Sequence, residues 1–195
     1  ELTYERIWDE RDDFLCLNPS GEIPVFIDQN GTVIPSFYAI IEYLEETYLE
    51  NTFFPKNPTA KIEVRRLIDW FNGKFNNEVT HKLVFEKVYK RHITKEGPDS
   101  KNLREAQYNI HAHMDYICYL VDRRKWLAGE DLTIADFVAA AHLSCLDFFE
   151  TVPWEKYEEA KDWYMRIKSR PSFRALLLDS VPGHTAAKHY ANLDF

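Results

Sequence analysis

The stretch that most constrains this chain is Leu132 to Phe149, LTIADFVAAAHLSCLDFF. Thr133 and Asp136 stand in the Ser/Thr-x-x-acid spacing. The threonine hydroxyl can accept the backbone N–H three residues on, and the carboxylate can reach back to the N–H of Thr133. This spacing predicts a helix start. Leu132 before the cap and Phe137 at the fourth helical position are placed to pack as a hydrophobic staple. Beyond the cap, Ile134, Ala135, Phe137, Val138, Ala139, Ala140, Ala141, Leu143, Cys145 and Leu146 leave almost no polar face, the pattern of a helix buried on all sides. Other helices are therefore expected to wrap around it, with His142 as a core histidine whose hydrogen bonds are satisfied.

The chain has 195 residues, room for one or two domains and for burial of roughly 70% of the surface an unfolded chain exposes. A net charge of −8 argues against phosphate-backbone binding as the main activity, so no nucleic acid is expected. The longest apolar run, Phe137 to Leu143, contains a histidine and falls far short of the ~20 residues of a membrane span. No secretory signal is visible. Cys16, Cys118 and Cys145 lack metal or C-x-x-C spacing and read as reduced core thiols, which places the protein in the cytoplasm. His111 and His113, two apart on a helix, point to different sides, so no metal site is expected.

Taken in order, Leu2 to Ile7 alternate in a way that suits a short strand, and a helix is predicted from about Trp8 to Leu17. Asn18-Pro19-Ser20-Gly21 stops it. Ile23 to Asp28 reads as a strand, Asn30-Gly31 as a hairpin turn, and Thr32 to Ile34 as the returning strand. A helix follows to Thr47, with Ser36 as its predicted cap. Leu49 to Pro58 carries two prolines and no period and reads as a linker. Everything after it is helical. One long pattern runs from Ala60 to about Tyr89, with Gly73 and Asn76-Asn77 as places for a kink. A second helix ends near Arg124, the central helix follows, and a further helix carrying Trp163, Tyr164 and Ile167 stops before Pro171. A short helix from Phe173 to Leu178 precedes the tail.

These residues carry a resemblance. Asn18-Pro19-Ser20-Gly21-Glu22-Ile23-Pro24-Val25-Phe26, then Asp28 to Gly31, then Ala39 to Leu44, resembles the second half of the thioredoxin-like domain of a glutathione S-transferase. Leu127-Ala128-Gly129 followed by Leu132 to Phe137 is similar to the capped core helix of that superfamily's helical domain. The resemblance implies an α+β two-domain glutathione S-transferase fold, with a thioredoxin-like α/β N-terminal domain and an all-α C-terminal domain. Residues 1–50 would be a partial thioredoxin-like domain, 51–58 a linker, 59–179 the helical domain and 180–195 a tail. The family's first strand and helix, with the residue that activates the thiol, would precede Glu1, so a longer natural protein is expected. The resemblance also implies a cis Pro24 and a backbone at Ile23 that pairs with the cysteinyl part of glutathione. The positions that hold the γ-glutamyl ammonium and carboxylate align with Ser36 and Phe37, which lack the acid and the hydroxyl. An ionic group left without its partner costs several kcal/mol, against ~4 to 8 kcal/mol for micromolar to millimolar binding. No cofactor and no catalytic residue are therefore expected.

The C-terminal end carries a narrower resemblance. Val152-Pro153-Trp154, Ala160 to Tyr164, Lys168 to Arg174, Val181-Pro182-Gly183 and the ending His189-Tyr190-Ala191-Asn192-Leu193-Asp194-Phe195 resemble the transferase-like division proteins of alphaproteobacteria. That resemblance implies a homodimer without transferase activity that binds FtsZ filaments and supports constriction at the division site. Trp8 and the ending His189, Tyr190, Leu193, Asp194 and Phe195 are the expected partner-binding residues, acting outside the folded core. The alternative is a cytosolic transferase that conjugates glutathione to small electrophiles.

Overall fold

The structure, a computed structural model, describes residues 1–48 and 52–193. It divides into two compact units, Glu1–Phe53 and Phe54–Phe195.

In the first unit a 3₁₀ turn at Ile7–Asp9 leads to α1 (Asp12–Leu17), then to strands β1 (Val25–Ile27) and β2 (Val33–Pro35), then to α2 (Phe37–Thr47). The strands pair antiparallel, with Phe26 opposite Ile34. Gly31, at φ +83°, supplies the left-handed turn between them. Asp28 sits in that turn and accepts hydroxyl bonds from Tyr48 and, at 2.8 Å, from Tyr43. The hairpin is thereby tied to α2, and the two hydroxyls, Tyr48's first, hold the Asp28 carboxyl below its usual range. Two expectations are corrected here. Residues 2–7 form no strand, because among the described residues β1 and β2 pair only with each other. The first helix begins at Asp12 rather than Trp8, because Glu10 turns left-handed at φ 45°.

The second unit begins at α3 (Pro58–Asp69), whose start is capped by Asn57 accepting the Thr59 N–H at 2.8 Å. The expected long helix continues, but not as one α-helix. Trp70–Thr80 and Phe85–Tyr89 are π-helical, flanking α4 (His81–Val84), and α5 (Lys90–Ile93) ends the run. The first π segment spans the Gly73 and Asn76-Asn77 positions. Glu86, buried, accepts the Asp99 N–H and the Asn102 amide, both at 2.7 Å, and so holds the start of α6 (Ser100–Val121). α7 (Ile134–Phe148) is the central helix; α8 (Glu158–Lys168) and α9 (Pro171–Arg174) follow. Val64, Leu67, Ile68, Phe71, Phe75, Ile110, Met114, Ile117, Leu143, Leu146, Trp163 and Ile167 form the core.

Thr133 and Asp136 form the capping box at the head of α7. Asp136 accepts from the Thr133 N–H (3.0 Å), the Thr133 hydroxyl (3.1 Å), the Leu127 N–H (2.9 Å) and the Trp163 indole (3.0 Å). One carboxylate thus joins the preceding turn, the cap and α8. Arg124 extends the joint, donating to Leu127 O at 2.9 Å and to Glu63 of α3 at 2.7 Å. Two further expectations change, one about α7 and one about the cysteines. The burial of α7 is incomplete, with Ala141 and Cys145 exposed. The cysteines are free thiols but not core ones: Cys16 and Cys145 are exposed and Cys118 is half-buried.

Candidate functional site

The positions aligned with a glutathione site lie around the Ile23–Pro24 peptide, which is cis, and the N-terminus of α2. Ile23 and Pro24 are exposed, leaving backbone open beside β1. Ser36 occupies the N-cap position at φ 87°, a conformation that costs a non-glycine residue of order 1 kcal/mol or more. Its side chain makes no capping hydrogen bond, which corrects the expectation of a serine cap. Phe37 is half-buried and meets Tyr38 edge to face at 5.5 Å. Neither Ser36 nor Phe37 offers a carboxylate for an ammonium group.

The C-terminal end is placed differently from expectation. Tyr190 is buried, 5% exposed; its hydroxyl pairs with Ser144 Oγ at 2.9 Å and its ring meets Phe148 edge to face at 5.3 Å. His189 Nε2 lies 2.8 Å from Asp147 Oδ1, which also accepts the Trp154 indole N–H at 2.8 Å. The Ala187 N–H donates to Phe148 O at 3.0 Å. The segment through Tyr190 is therefore part of the core of its unit, which corrects the expectation that it stands outside the fold. An apolar ring with its hydroxyl partnered is worth more inside than in water. Leu193 is half-buried, as is Trp8 in the first unit. Asp194 and Phe195 lie outside the described residues.

Beneath this segment is a group that sequence reasoning missed. Asp147 of α7 and Lys168 of α8 are both fully buried, 3.6 Å apart, and Lys168 Nζ also donates to His189 O at 3.4 Å. Burial pushes the Lys168 ammonium below its usual range, against the pull of Asp147. The signal was an acid and a base set into apolar helical stripes, Asp147 between Leu146 and Phe148, and Lys168 after Ile167. Beside the pair opens a cleft of about 600 Å³. α6 contributes Gln107, Ile110 and His111, the segment after α7 Pro153 and Trp154, and the C-terminal segment His189 and Asn192. His111 is braced by the Tyr157 hydroxyl at 2.8 Å.

The fold and these positions define a class. Residues 1–47 match the family model for the glutathione S-transferase N-terminal domain and residues 80–171 that for the C-terminal domain, and the chain belongs to this family. Among curated relatives, FtsZ-localized protein A of Caulobacter vibrioides is 44% identical over 193 residues, covering 97% of this chain and 85% of the relative. A solved structure described as FzlA from C. crescentus is 44% identical, with a TM-score of 0.92 over 98% of this chain and 86% of that one. A chain described as a glutathione S-transferase from Rhodospirillum rubrum F11 is 47% identical, with a TM-score of 0.97 over 100% of this chain and 88% of that one.

Proposed function

We propose that this chain is a non-catalytic, transferase-like protein of cell division that binds FtsZ filaments and supports constriction, acting as a cytoplasmic homodimer at the division site. The observation that carries the reading is the 44% identity, over 97% of the chain, with a protein named for its localisation with FtsZ. Ser36 and Phe37 at the γ-glutamyl positions support the non-catalytic part, since neither supplies the ion pair that would hold glutathione. Trp8, His189, Tyr190, Leu193, Asp194 and Phe195 are the proposed partner-binding positions. Because the Tyr190 ring is buried, its role in this reading is to shape the C-terminal positions, with Leu193 there and Trp8 in the first unit meeting the partner. A two-fold dimer would present two copies of each of these positions to one filament, which raises apparent affinity by ~10² to 10⁴ over a single contact. The test is sedimentation with polymerised FtsZ, in which the chain is expected to pellet with filaments and not with unpolymerised FtsZ.

A second reading, conjugation of glutathione to small electrophiles, is favoured by the 47% identity to the R. rubrum chain described as a glutathione S-transferase. Calorimetry with glutathione distinguishes the two. The first reading predicts a dissociation constant weaker than about 1 mM, a binding free energy of less than ~4 kcal/mol. Micromolar binding would favour the second.

A further inference from the structure

Between Leu178 and Leu193 the chain forms turns and no helix or strand. Its contacts with the helices beneath include the Ala187 N–H on Phe148 O, His189 on Asp147 Oδ1, the His189 carbonyl on Lys168 Nζ, and the Tyr190 hydroxyl on Ser144, with the Tyr190 ring on Phe148 and His184 on Phe149. The same segment supplies His189 and Asn192 to the lining of the cleft, which Gln107 and His111 of α6 share. The segment therefore does two things at once: it covers the buried Asp147–Lys168 pair and completes the cleft.

We propose that Ala187–Asn192 is a detachable strap, which lifts from its seat on Asp147 and Lys168 while α7 and α8 stay folded, opening the cleft and admitting water to the pair. Two physical features make this opening separate from global unfolding. Segments without regular structure open at lower free energy than the helices they cover. The seat is also unusual, because it sets a buried ion pair beside the apolar contact of Tyr190 with Phe148. Burying two charges carries a desolvation penalty that their attraction offsets incompletely. Hydration returns that penalty when the strap lifts, so much of the resistance to opening resides in the Tyr190 ring against Phe148. Asp147 and Lys168 sit on adjacent packed helices and remain facing one another in the open state. The strap thereby couples the C-terminal end to the cleft: whatever fills the cleft against His189 and Asn192 favours the seated state, and whatever draws the C-terminal end away removes one wall of the cleft.

Native-state hydrogen exchange of the full chain in rising, sub-denaturing urea tests this, read together with tryptic cleavage after Lys188 and hydroxyl-radical oxidation of the buried Trp154. The strap predicts that the Ala187 and Tyr190 amides exchange at least about tenfold faster than those of Leu143 and Leu146. They should also show a much shallower urea dependence, because little surface is exposed on opening. His189→Ala is expected to speed strap exchange and Lys188 cleavage by about tenfold, with Trp154 oxidation rising in step. Tyr190→Phe, which keeps the ring and loses only the hydroxyl, should act in the same direction by a smaller factor. The proposal is overturned if the strap amides share the rate and urea slope of α7. It is equally overturned if both variants leave strap exchange unchanged, or if strap exchange rises while Trp154 oxidation does not.

Discussion

His142 is the residue whose protonation bears most directly on stability. Its ring lies between Thr80 Oγ1, 3.0 Å from Nδ1, and Asn72 Oδ1, 3.1 Å from Nε2, an arrangement that suits the neutral ring. Burial lowers its pKa to about 4. His113 is shifted in the same direction by burial, with Nδ1 accepting the Trp70 indole N–H at 3.2 Å and Nε2 meeting Glu78 at 2.9 Å. The unfolded chain takes up the His142 proton near pH 6.5, whereas the folded chain resists until about pH 4. Between those values the unfolded state binds more protons, so stability falls as pH falls. His142 alone should cost about 2 kcal/mol between pH 7 and pH 5. Urea midpoints across that range check this, and His142→Gln should remove the corresponding part of the slope. An unchanged slope would show that the ring titrates in the folded state as it does in water. That the histidine's hydrogen bonds are satisfied was legible from its place in an apolar helix, although the residue is half-buried rather than sealed in the core. Its partners were not, because Asn72 and Thr80 lie about 60 to 70 positions away and are brought in by the π-helical stretch.

At the scale of elements, the head of α7 is decided by one carboxylate. Thr133→Ala removes a cap and should cost about 1 kcal/mol. Asp136→Ala leaves the Thr133 and Leu127 amides and the Trp163 indole without their acceptor in a buried site, and at roughly 1 to 3 kcal/mol for each such group it should cost at least about 3 kcal/mol. Equal, small losses in urea unfolding would mean that packing alone holds the helix start. Local spacing made this element legible, as Asn30-Gly31 did the hairpin, since a cap and a tight turn are built from residues adjacent in sequence. Elements that depend on distant partners were not legible in the same way. The alternation of Leu2 to Ile7 finds no strand to pair with, and the π register of Trp70–Thr80 accompanies the burial of Phe71, Phe75 and Val79, which no local pattern specifies.

For the whole molecule, the family and its two-part organisation could be read from two motifs in the right order, whereas the seat of the C-terminal segment could not. Asp147 and Lys168 are 21 positions apart, and neither announces the residues that cover it. Their burial reverses one expectation about the chain's end. Deleting Tyr190–Phe195 removes a buried aromatic and should cost about 2 to 4 kcal/mol, lowering the melting temperature by roughly 5 to 15 °C. An unchanged melting temperature would return the segment to the surface. The central claim, that a transferase fold here serves a filament rather than a thiol, is tested most directly by sedimenting the full chain with FtsZ polymerised by GTP, in the presence and absence of millimolar glutathione. The account predicts that the chain pellets with filaments, that glutathione leaves this unchanged, and that Trp8→Ala weakens it. A chain that stays in the supernatant with FtsZ filaments while binding glutathione at micromolar concentration would contradict it.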